Sequence, residues 1–466
     1  MRRCSRDECV GDVKLTRILV LRNVFAIRDT TRSGIAFSTC SATSRAHSEG
    51  RPEVIGASIG TYRCRPWTRT SPAPTQPPGV RGVEHGSMCR AGSTRREAGT
   101  DLVKSILIAA VVGLVVSVTL TPYLIKLFSR LGFGQEIREE LKHQRAKRGT
   151  PTMGGVAILI AMWIGYLVSV LVRTITEHGG GPTASAWLLL FLTTGTGLVG
   201  FLDDFIKLRN KRSLGLSPRA KLIGQTLISV IFGVGVLLFR NGFGLTPGSV
   251  RLSYTRDLNF ITFGAVGFVV FAVVLIAAWS NAVNFTDGLD GLAAGSSVMV
   301  LGSYVAICFF QFRNACWGDG LNAAAQQSCY QVRDPLDLAV VAAAAVGGCV
   351  GFLWWNAHPA RIIMGDTGAL ALGGMIAGLS VLTKTELLLV VIAGLFVIEM
   401  ASDVIQIIVY KTRKVRVFKM APFHYHFELS GWAETTVFVR FLLLAAISAA
   451  IGLGLFYADW LALTGG

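Results

Sequence analysis

The amino-acid sequence predicts an all-α polytopic membrane protein with about ten transmembrane helices. Only 16% of its 466 residues are charged and 52% are hydrophobic, whereas soluble proteins carry about 25% charged residues. The mean hydropathy is +0.52. Apolar runs of about 18 residues or more recur along the chain, and each is long enough to cross a bilayer. The lipid bilayer is therefore an expected partner.

Ten apolar segments are expected to form the membrane-spanning helices. In chain order they cover 105–128, 153–173, 185–204, 222–240, 263–283, 291–312, 337–355, 368–383, 386–410 and 437–458. Lys and Arg cluster in the connections after the first, third and ninth segments, and the connections 174–184, 241–262 and 314–336 contain few. Because short cationic loops stay in the cytoplasm, both termini are expected outside the membrane.

Residues 1–102 form a different kind of segment, since they contain no apolar run long enough to span a membrane. The first 100 residues hold 17 Lys and Arg against 8 Asp and Glu. Their net charge of +9 is over half of the formal net charge of +17. Such a segment has too little apolar surface to offset the ordering cost of folding. We expect a disordered basic extension, the product of a misplaced gene start, before a transmembrane domain at 103–466. The distribution of charge argues against nucleic acid as a partner.

The cysteines show no spacing typical of a metal site. Cys308 and Cys349 fall inside apolar segments and are expected to pack there. Cys316 and Cys329 share one connection that is expected outside the membrane, and the sequence leaves open whether they pair.

Five polar motifs lie at ends of the apolar segments that the predicted topology places on the cytoplasmic side. Aspartates beside lipid are energetically costly, so several of them in such positions usually have a function. We therefore expect one polar site, assembled from several spans at the cytoplasmic face. The motifs are GFLDDFIK (200–207), SNAVNFTDGLDG (280–291), WNAHP (355–359), MGDTG (364–368) and PFHYHFE (422–428).

Asp203 and Asp204 close the third predicted span, and Lys207 follows Asp203 by four residues, on the same helical face. Adjacent carboxylates can hold a magnesium ion, or one can take a proton while the other orients it. Acidic pairs at helix ends also simply meet lipid headgroups or neighbouring lysines.

Asp287 and Asp290 are three residues apart and are expected to share a helical face, while Gly288 and Gly291 permit close backbone approach. An isolated Asp-Gly pair is only a turn signal, but the preceding polar residues at a membrane boundary make this segment more specific.

Asp366 is flanked by glycines that leave its carboxylate exposed at the start of a helix, a position suited to a metal-bound pyrophosphate. An N-cap aspartate would also fit this position and would not exclude such a function. His424 and His426 lie in the last cytoplasmic loop beside a Lys/Arg cluster, where contact with phosphate is expected rather than the ordinary surface role of such histidines.

Together these motifs resemble the polyprenyl-phosphate N-acetylhexosamine-1-phosphate transferases, and within them the branch that transfers phospho-MurNAc-pentapeptide. The resemblance covers about residues 103–460. It includes GTPTMGG (149–155), the Asp203-Asp204 pair, GLSPRAK (215–221), the stretches 284–291 and 356–368, and 422–432. The chain departs from the family pattern at Tyr425, where a histidine is usual, and at Ile363, where a phenylalanine near the uracil is common.

The resemblance implies transfer of phospho-MurNAc-pentapeptide from UDP-MurNAc-pentapeptide to undecaprenyl phosphate, which gives lipid I and UMP in peptidoglycan synthesis. It further implies a multi-pass protein of the bacterial cytoplasmic membrane that depends on Mg²⁺, and it leaves a homodimer open. The implied catalytic residues are Asp203, Asp204, Asp366 and His424, with the three aspartates as metal ligands. The implied substrate-binding residues are Lys147, Thr150, Lys207, Lys221, Asn284, Asp287, Gly288, Asp290, Asn356 and His426.

Two other functions would fit parts of the pattern. A UDP-GlcNAc:polyprenyl-phosphate GlcNAc-1-phosphate transferase would share the fold and metal chemistry, and a donor assay would distinguish it. A transporter can also hold intramembrane carboxylates, but it should place them near the bilayer midplane and often shows repeats. The sequence shows neither of these features.

Overall fold

The computed structural model describes residues 91–132, 149–177, 181–210, 215–242, 244–316 and 328–464, which all belong to one compact unit, His85–Gly466. They form twelve α-helices and one two-stranded antiparallel sheet. The helices are α1 Ala91–Arg130, α2 Gly155–Glu177, α3 Ala184–Arg209, α4 Pro218–Leu238, α5 Gly264–Thr286, α6 Leu292–Arg313, α7 Pro335–Asn356, α8 Gly365–Thr383, α9 Glu386–Ile392, α10 Gly394–Arg413, α11 Phe423–Glu428 and α12 Glu434–Thr464; the strands are β1 Arg251–Ser253 and β2 Asp257–Thr262.

The predicted all-α polytopic architecture is confirmed. Among the described residues, nine helices are long and apolar enough to cross a membrane, or ten if α9 and α10 count as one span. The first helix begins at Ala91, twelve residues before the predicted boundary at Val103, so that boundary falls within a helix. Residues 1–90, which make up most of the predicted extension, lie outside the described part of the chain.

The ninth predicted span, 386–410, is not one straight helix. Helices α9 and α10 meet at Ala393 with a bend of 87°. Gly394 and Gly452 bring α12 close to this break, because a Cβ at Gly394 would lie 2.8 Å from Ser448 Oγ and one at Gly452 would touch Ile392. Hydropathy records that a segment is apolar but carries no information on its direction, so the sequence could not show the bend.

Helices α7 and α8 form the centre of the bundle. The buried share of the apolar span is 83% for α7 and 89% for α8, compared with 22% for α1 and 28% for α12. Both central helices are rich in Ala and Gly, and small side chains let helix backbones approach closely in a membrane.

Two glycine contacts bring α2 and α3 against the start of α8. A Cβ at Gly155 would overlap the backbone of Gly368, and a Cβ at Gly200 would overlap the backbone of Asp366. The ends of three helices are therefore close enough for short side chains to meet.

At the other end of the helices lie the hairpin of β1 and β2 and a disulfide between Cys316 and Cys329. The pairing that the sequence left open is thus present. Cys308 and Cys349 are fully buried free cysteines, as predicted.

The hairpin is held by polar contacts to the connection between α8 and α9, to α9 and to α12. Lys384 Nζ lies 2.8 Å from Asp257, and Glu386 accepts a hydrogen bond of 3.1 Å from Ser253 N. Arg256 pairs with Asp459 of α12 at 2.6 Å.

Candidate active site

Asp203 and Asp204 are buried at the end of α3, next to Lys207 in the last turn of the same helix. Lys207 Nζ lies 2.5 Å from Asp203 Oδ2 and 3.7 Å from Asp204 Oδ1, so the predicted shared helical face is confirmed. The second oxygen of Asp203 accepts a hydrogen bond of 2.6 Å from Leu216 N, in the connection to α4.

Asp204 is fixed by the start of α8. Its Oδ2 accepts hydrogen bonds from Thr367 N at 3.0 Å and from Thr367 Oγ1 at 2.9 Å. Gly365 lies against the same oxygen, because a Cβ added there would be 2.7 Å from Asp204 Oδ2 and 2.8 Å from Thr152 Oγ1. The carboxylate is therefore held by a neighbouring helix as well as by its own.

Asp366 lies in the first turn of α8, and the N-cap position belongs to Met364, so the N-cap alternative is wrong. The Nζ atoms of Lys207 and Lys221 each lie 2.9 Å from Asp366 Oδ2. With the side-chain amide of Asn284 turned to satisfy its neighbours, its nitrogen donates to Asp366 Oδ1 at 2.9 Å and its oxygen accepts from Lys221 at 3.2 Å.

Oxygen atoms of Asp203, Asp204 and Asp366, one from each, all lie within 4.8 Å of one another. Clustered carboxylates repel unless positive charge is near, and here the ammonium groups of two lysines provide it. The oxygens are also the ligands that a hard divalent cation prefers. The geometry therefore suits a cation site that also contains lysines able to contact phosphate.

Asp287 joins this cluster from the turn between α5 and α6. Its Oδ2 accepts a hydrogen bond of 3.1 Å from Gly365 N, beside Asp366. Burial raises the pKa of Asp287 well above its usual range, and the charges of Asp366 and Asp204 raise that pKa further.

Asp290 faces a different group, so the prediction that it shares a helical face with Asp287 is wrong. Residues 287–291 form a turn in which Gly291 has a φ of +79°, which glycine adopts at no steric cost. Asp290 Oδ2 accepts from Ala360 N at 3.0 Å and lies 3.2 Å from His358 Nδ1.

His424 does not lie with the three aspartates in the described contacts. It is fully buried in α11, and its Nδ1 lies 3.1 Å from Glu399 Oε2 of α10. Its neighbour Tyr425, at the position where the sequence departs from the family pattern, donates a hydrogen bond of 3.2 Å to Gly288 O. His426 instead accepts from Lys419 N through Nδ1 at 3.2 Å.

The remaining predicted residues have other surroundings. Asn356 is buried and donates to Ile362 O at 2.8 Å, which closes the connection between α7 and α8. Thr150 is half-buried next to Pro151, whose carbonyl accepts a hydrogen bond of 2.8 Å from Ile363 N. Lys147 lies outside the described residues.

Sequence reasoning missed three residues that hold the predicted ones in place. Thr367 belongs to the MGDTG motif, where a hydroxyl next to Asp366 indicates a hydrogen-bonding role. His358 belongs to the WNAHP motif. Glu399 is one of two carboxylates, with Asp403, in the largely apolar helix α10, and carboxylates in such segments are usually paired or functional.

Comparison with known proteins gives consistent matches. Residues 186–384 match the family described as Glycosyl transferase family 4, and residues 147–159 match phospho-N-acetylmuramoyl-pentapeptide-transferase signature 1. A Saccharopolyspora erythraea protein named phospho-N-acetylmuramoyl-pentapeptide-transferase is 62% identical over 361 residues, covering 77% of this chain and 98% of the relative. Proteins of the same name from Rhodococcus jostii and Mycobacterium leprae are 60% and 58% identical, over 78% of this chain and 100% and 99% of the relatives.

Proposed function

The chain belongs to the phospho-N-acetylmuramoyl-pentapeptide-transferase family, and we propose that it transfers phospho-MurNAc-pentapeptide from UDP-MurNAc-pentapeptide to undecaprenyl phosphate. The products are lipid I and UMP. The observation that supports this most is the meeting of Asp203, Asp204 and Asp366 with Lys207 and Lys221 at one end of the membrane helices.

The reaction joins two anions. An oxygen of the acceptor phosphate bonds to the phosphorus next to the sugar, while the bond from that phosphorus to the bridging oxygen breaks and the bridging oxygen leaves with UMP. The two lysines reduce the repulsion between these groups by contacting phosphate oxygens. Their ammonium groups already converge on Asp366 Oδ2 at 2.9 Å each, so both can reach one ligand.

Magnesium is the cation that this site suits best. Asp203, Asp204 and Asp366 would hold it, since their carboxylates supply the oxygen ligands that Mg²⁺ prefers. When bound, the ion neutralises charge on the pyrophosphate and on the departing UMP.

The remaining site residues orient these groups. Thr367 fixes Asp204 through two hydrogen bonds, and Leu216 N fixes one oxygen of Asp203. Asn284 links Asp366 to Lys221, which keeps the lysine at the cation site. The positions of these groups are thus set before substrate arrives, which lowers the cost of reaching the transition state.

We place the site at the cytoplasmic face of a bacterial cytoplasmic membrane, where the nucleotide donor is found. The Lys/Arg clusters of the connections support this orientation. The Cys316–Cys329 disulfide gives independent support, because disulfides persist in oxidising compartments outside the cytoplasm.

The test is a UMP-release assay on the purified full chain in lipid nanodiscs, with undecaprenyl phosphate as acceptor. UDP-MurNAc-pentapeptide should support magnesium-dependent release and UDP-GlcNAc should not. Turnover with UDP-GlcNAc alone would instead assign the chain to GlcNAc-1-phosphate transfer.

A further inference from the structure

A carboxylate and a histidine, both completely buried, pair with each other away from the three aspartates. Glu399 of α10 and His424 of α11 each have 0% exposure, and Glu399 Oε2 lies 3.1 Å from His424 Nδ1. A buried carboxylate is costly unless a partner compensates it. This pair therefore constrains the ring of His424 strongly.

The other ring nitrogen of His424 faces the turn between α5 and α6. Within the described part of the chain, Nε2 is buried and has no hydrogen-bond partner. It lies directly against Gly288, because a Cβ added to that glycine would overlap Nε2. The hydroxyl of Tyr425 binds the carbonyl of the same glycine at 3.2 Å.

This turn carries Asp287 into the cluster of aspartates. Asp287 Oδ2 receives the amide of Gly365 at 3.1 Å, and Gly365 precedes Asp366. A path of direct contacts therefore runs from Glu399 through His424 and Gly288 to the start of α8.

Helix α11 is firmly attached to α10 and α12. Gln406 Oε1 of α10 accepts hydrogen bonds from Val417 N and Phe418 N at 3.0 Å each, which fixes the segment before α11. A separate apolar cluster packs α11 against the turn and α12; it contains Leu289, Leu292, Leu395, Val437, Phe441 and Ala445, with Phe423 and Phe427 against it.

We propose that Glu399 is a positioning residue that acts through His424. By accepting a hydrogen bond from Nδ1–H, Glu399 sets the ring so that Nε2 supports Gly288 and keeps Asp287 within reach of Gly365. His424 then acts through the turn, in place of the phosphate contact predicted from the sequence. The inference rests on the proposed function, because its effect is measured as turnover.

The test is a double-mutant cycle on the full chain, with UMP release and thermal unfolding measured for each variant. Glu399→Ala and His424→Ala should each reduce turnover at least about tenfold, and the double variant should be no worse than His424→Ala. Glu399→Gln retains an acceptor for Nδ1 and should stay within about threefold of the unmodified chain. The inference would be overturned if the turnover losses of the two single variants multiplied in the double variant, or if Glu399→Ala kept full activity.

Glu386→Ala is the matched control for Glu399→Ala, since Glu386 is also a buried carboxylate of the same broken span, and it binds Ser253 N of the hairpin. It should keep turnover within about twofold, and a loss as large as that of Glu399→Ala would show a general effect of removing buried charge. An inactive unmodified chain would instead refute the proposed function.

A second variant keeps the test valid if Glu399→Ala does not fold. Gly288→Ala places a methyl group against His424 Nε2 and should reduce turnover at least about tenfold. His424→Ala removes the ring that overlaps most and leaves the Tyr425 hydroxyl 2.7 Å from the added methyl group. Adding Gly288→Ala to His424→Ala should therefore cost much less turnover than Gly288→Ala does alone. A full additional loss in that background would contradict the proposed contact.

Discussion

Replacing Asp366 by asparagine should abolish most turnover while leaving the fold intact. The carboxylate receives Lys207 and Lys221 at 2.9 Å each and Asn284 at 2.9 Å. Asparagine has nearly the same size and keeps one oxygen, but it lacks the charge that a divalent cation and two ammonium groups require.

The expected loss in turnover is at least about hundredfold, which corresponds to about 2.7 kcal/mol of transition-state stabilisation. The effect on stability should be smaller, because two contributions oppose each other. The lysines lose a charged acceptor, and the repulsion of Asp366 with Asp203 and Asp204 disappears. The midpoint of thermal unfolding should therefore stay within a few degrees.

Asp337→Asn is the matched control. Asp337 also lies in the first turn of a helix, α7, and pairs with Arg173 at 3.0 Å while accepting from Thr183 N and Tyr166. It stands at the end of α7 opposite Asn356, about 30 Å away along the helix. Weakening its charged hydrogen bonds should cost roughly 1.5–3 kcal/mol of stability and leave turnover nearly unchanged.

Both variants are compared by magnesium-dependent UMP release in nanodiscs and by thermal unfolding. If Asp366→Asn keeps more than about a third of the activity, or loses turnover only in proportion to folded protein, Asp366 is not an essential cation ligand. Equal activity losses in the two variants would show that the assay reports folding.

Three further outcomes are expected. Reporter fusions after residues 250 and 420 should signal outside and inside the cytoplasm respectively, and the reverse pattern would refute the proposed orientation. A chain that starts at Val103 after an added Met should keep its UMP release, since it retains Ser105, whose carbonyl accepts a hydrogen bond from Ser169 and ties α1 to α2; a well-expressed but inactive truncation would contradict this. Tyr425→His should stay within about threefold of normal turnover because it leaves the Glu399–His424 pair in place, and an inactive but folded variant would show that the hydroxyl contact to Gly288 is required.

Much of the fold follows from hydropathy, because most of each span is apolar and the loops between spans are more polar. The site is predictable where local geometry decides, as for Asp203 and Lys207 at i and i+4. The same rule fails for Asp287 and Asp290, since the backbone turns at Gly288 and Gly291 and directs the two carboxylates to different partners.

Contacts between distant segments could not be predicted from the sequence, for a different reason. Glu399 and His424 are 25 residues apart, and their meeting depends on the break at Ala393 and on how α11 packs. Neither leaves a periodic pattern in the chain. Carboxylates within apolar segments, such as Glu399, nevertheless mark positions where a partner should be sought.

The close approach of α3 and α8 at Gly200 has a consequence for any cation bound between them. An aspartate carboxylate is only one methylene removed from its backbone, so its oxygens cannot follow if the two helices separate. Adding even one methyl group to Gly200 would collide with the backbone of Asp366, and a packed interior yields to such a collision by moving backbone. Gly200→Ala would then keep every ligand and still bind the ion more weakly, so the spacing of the ligands is limited by a residue that has no side chain of its own.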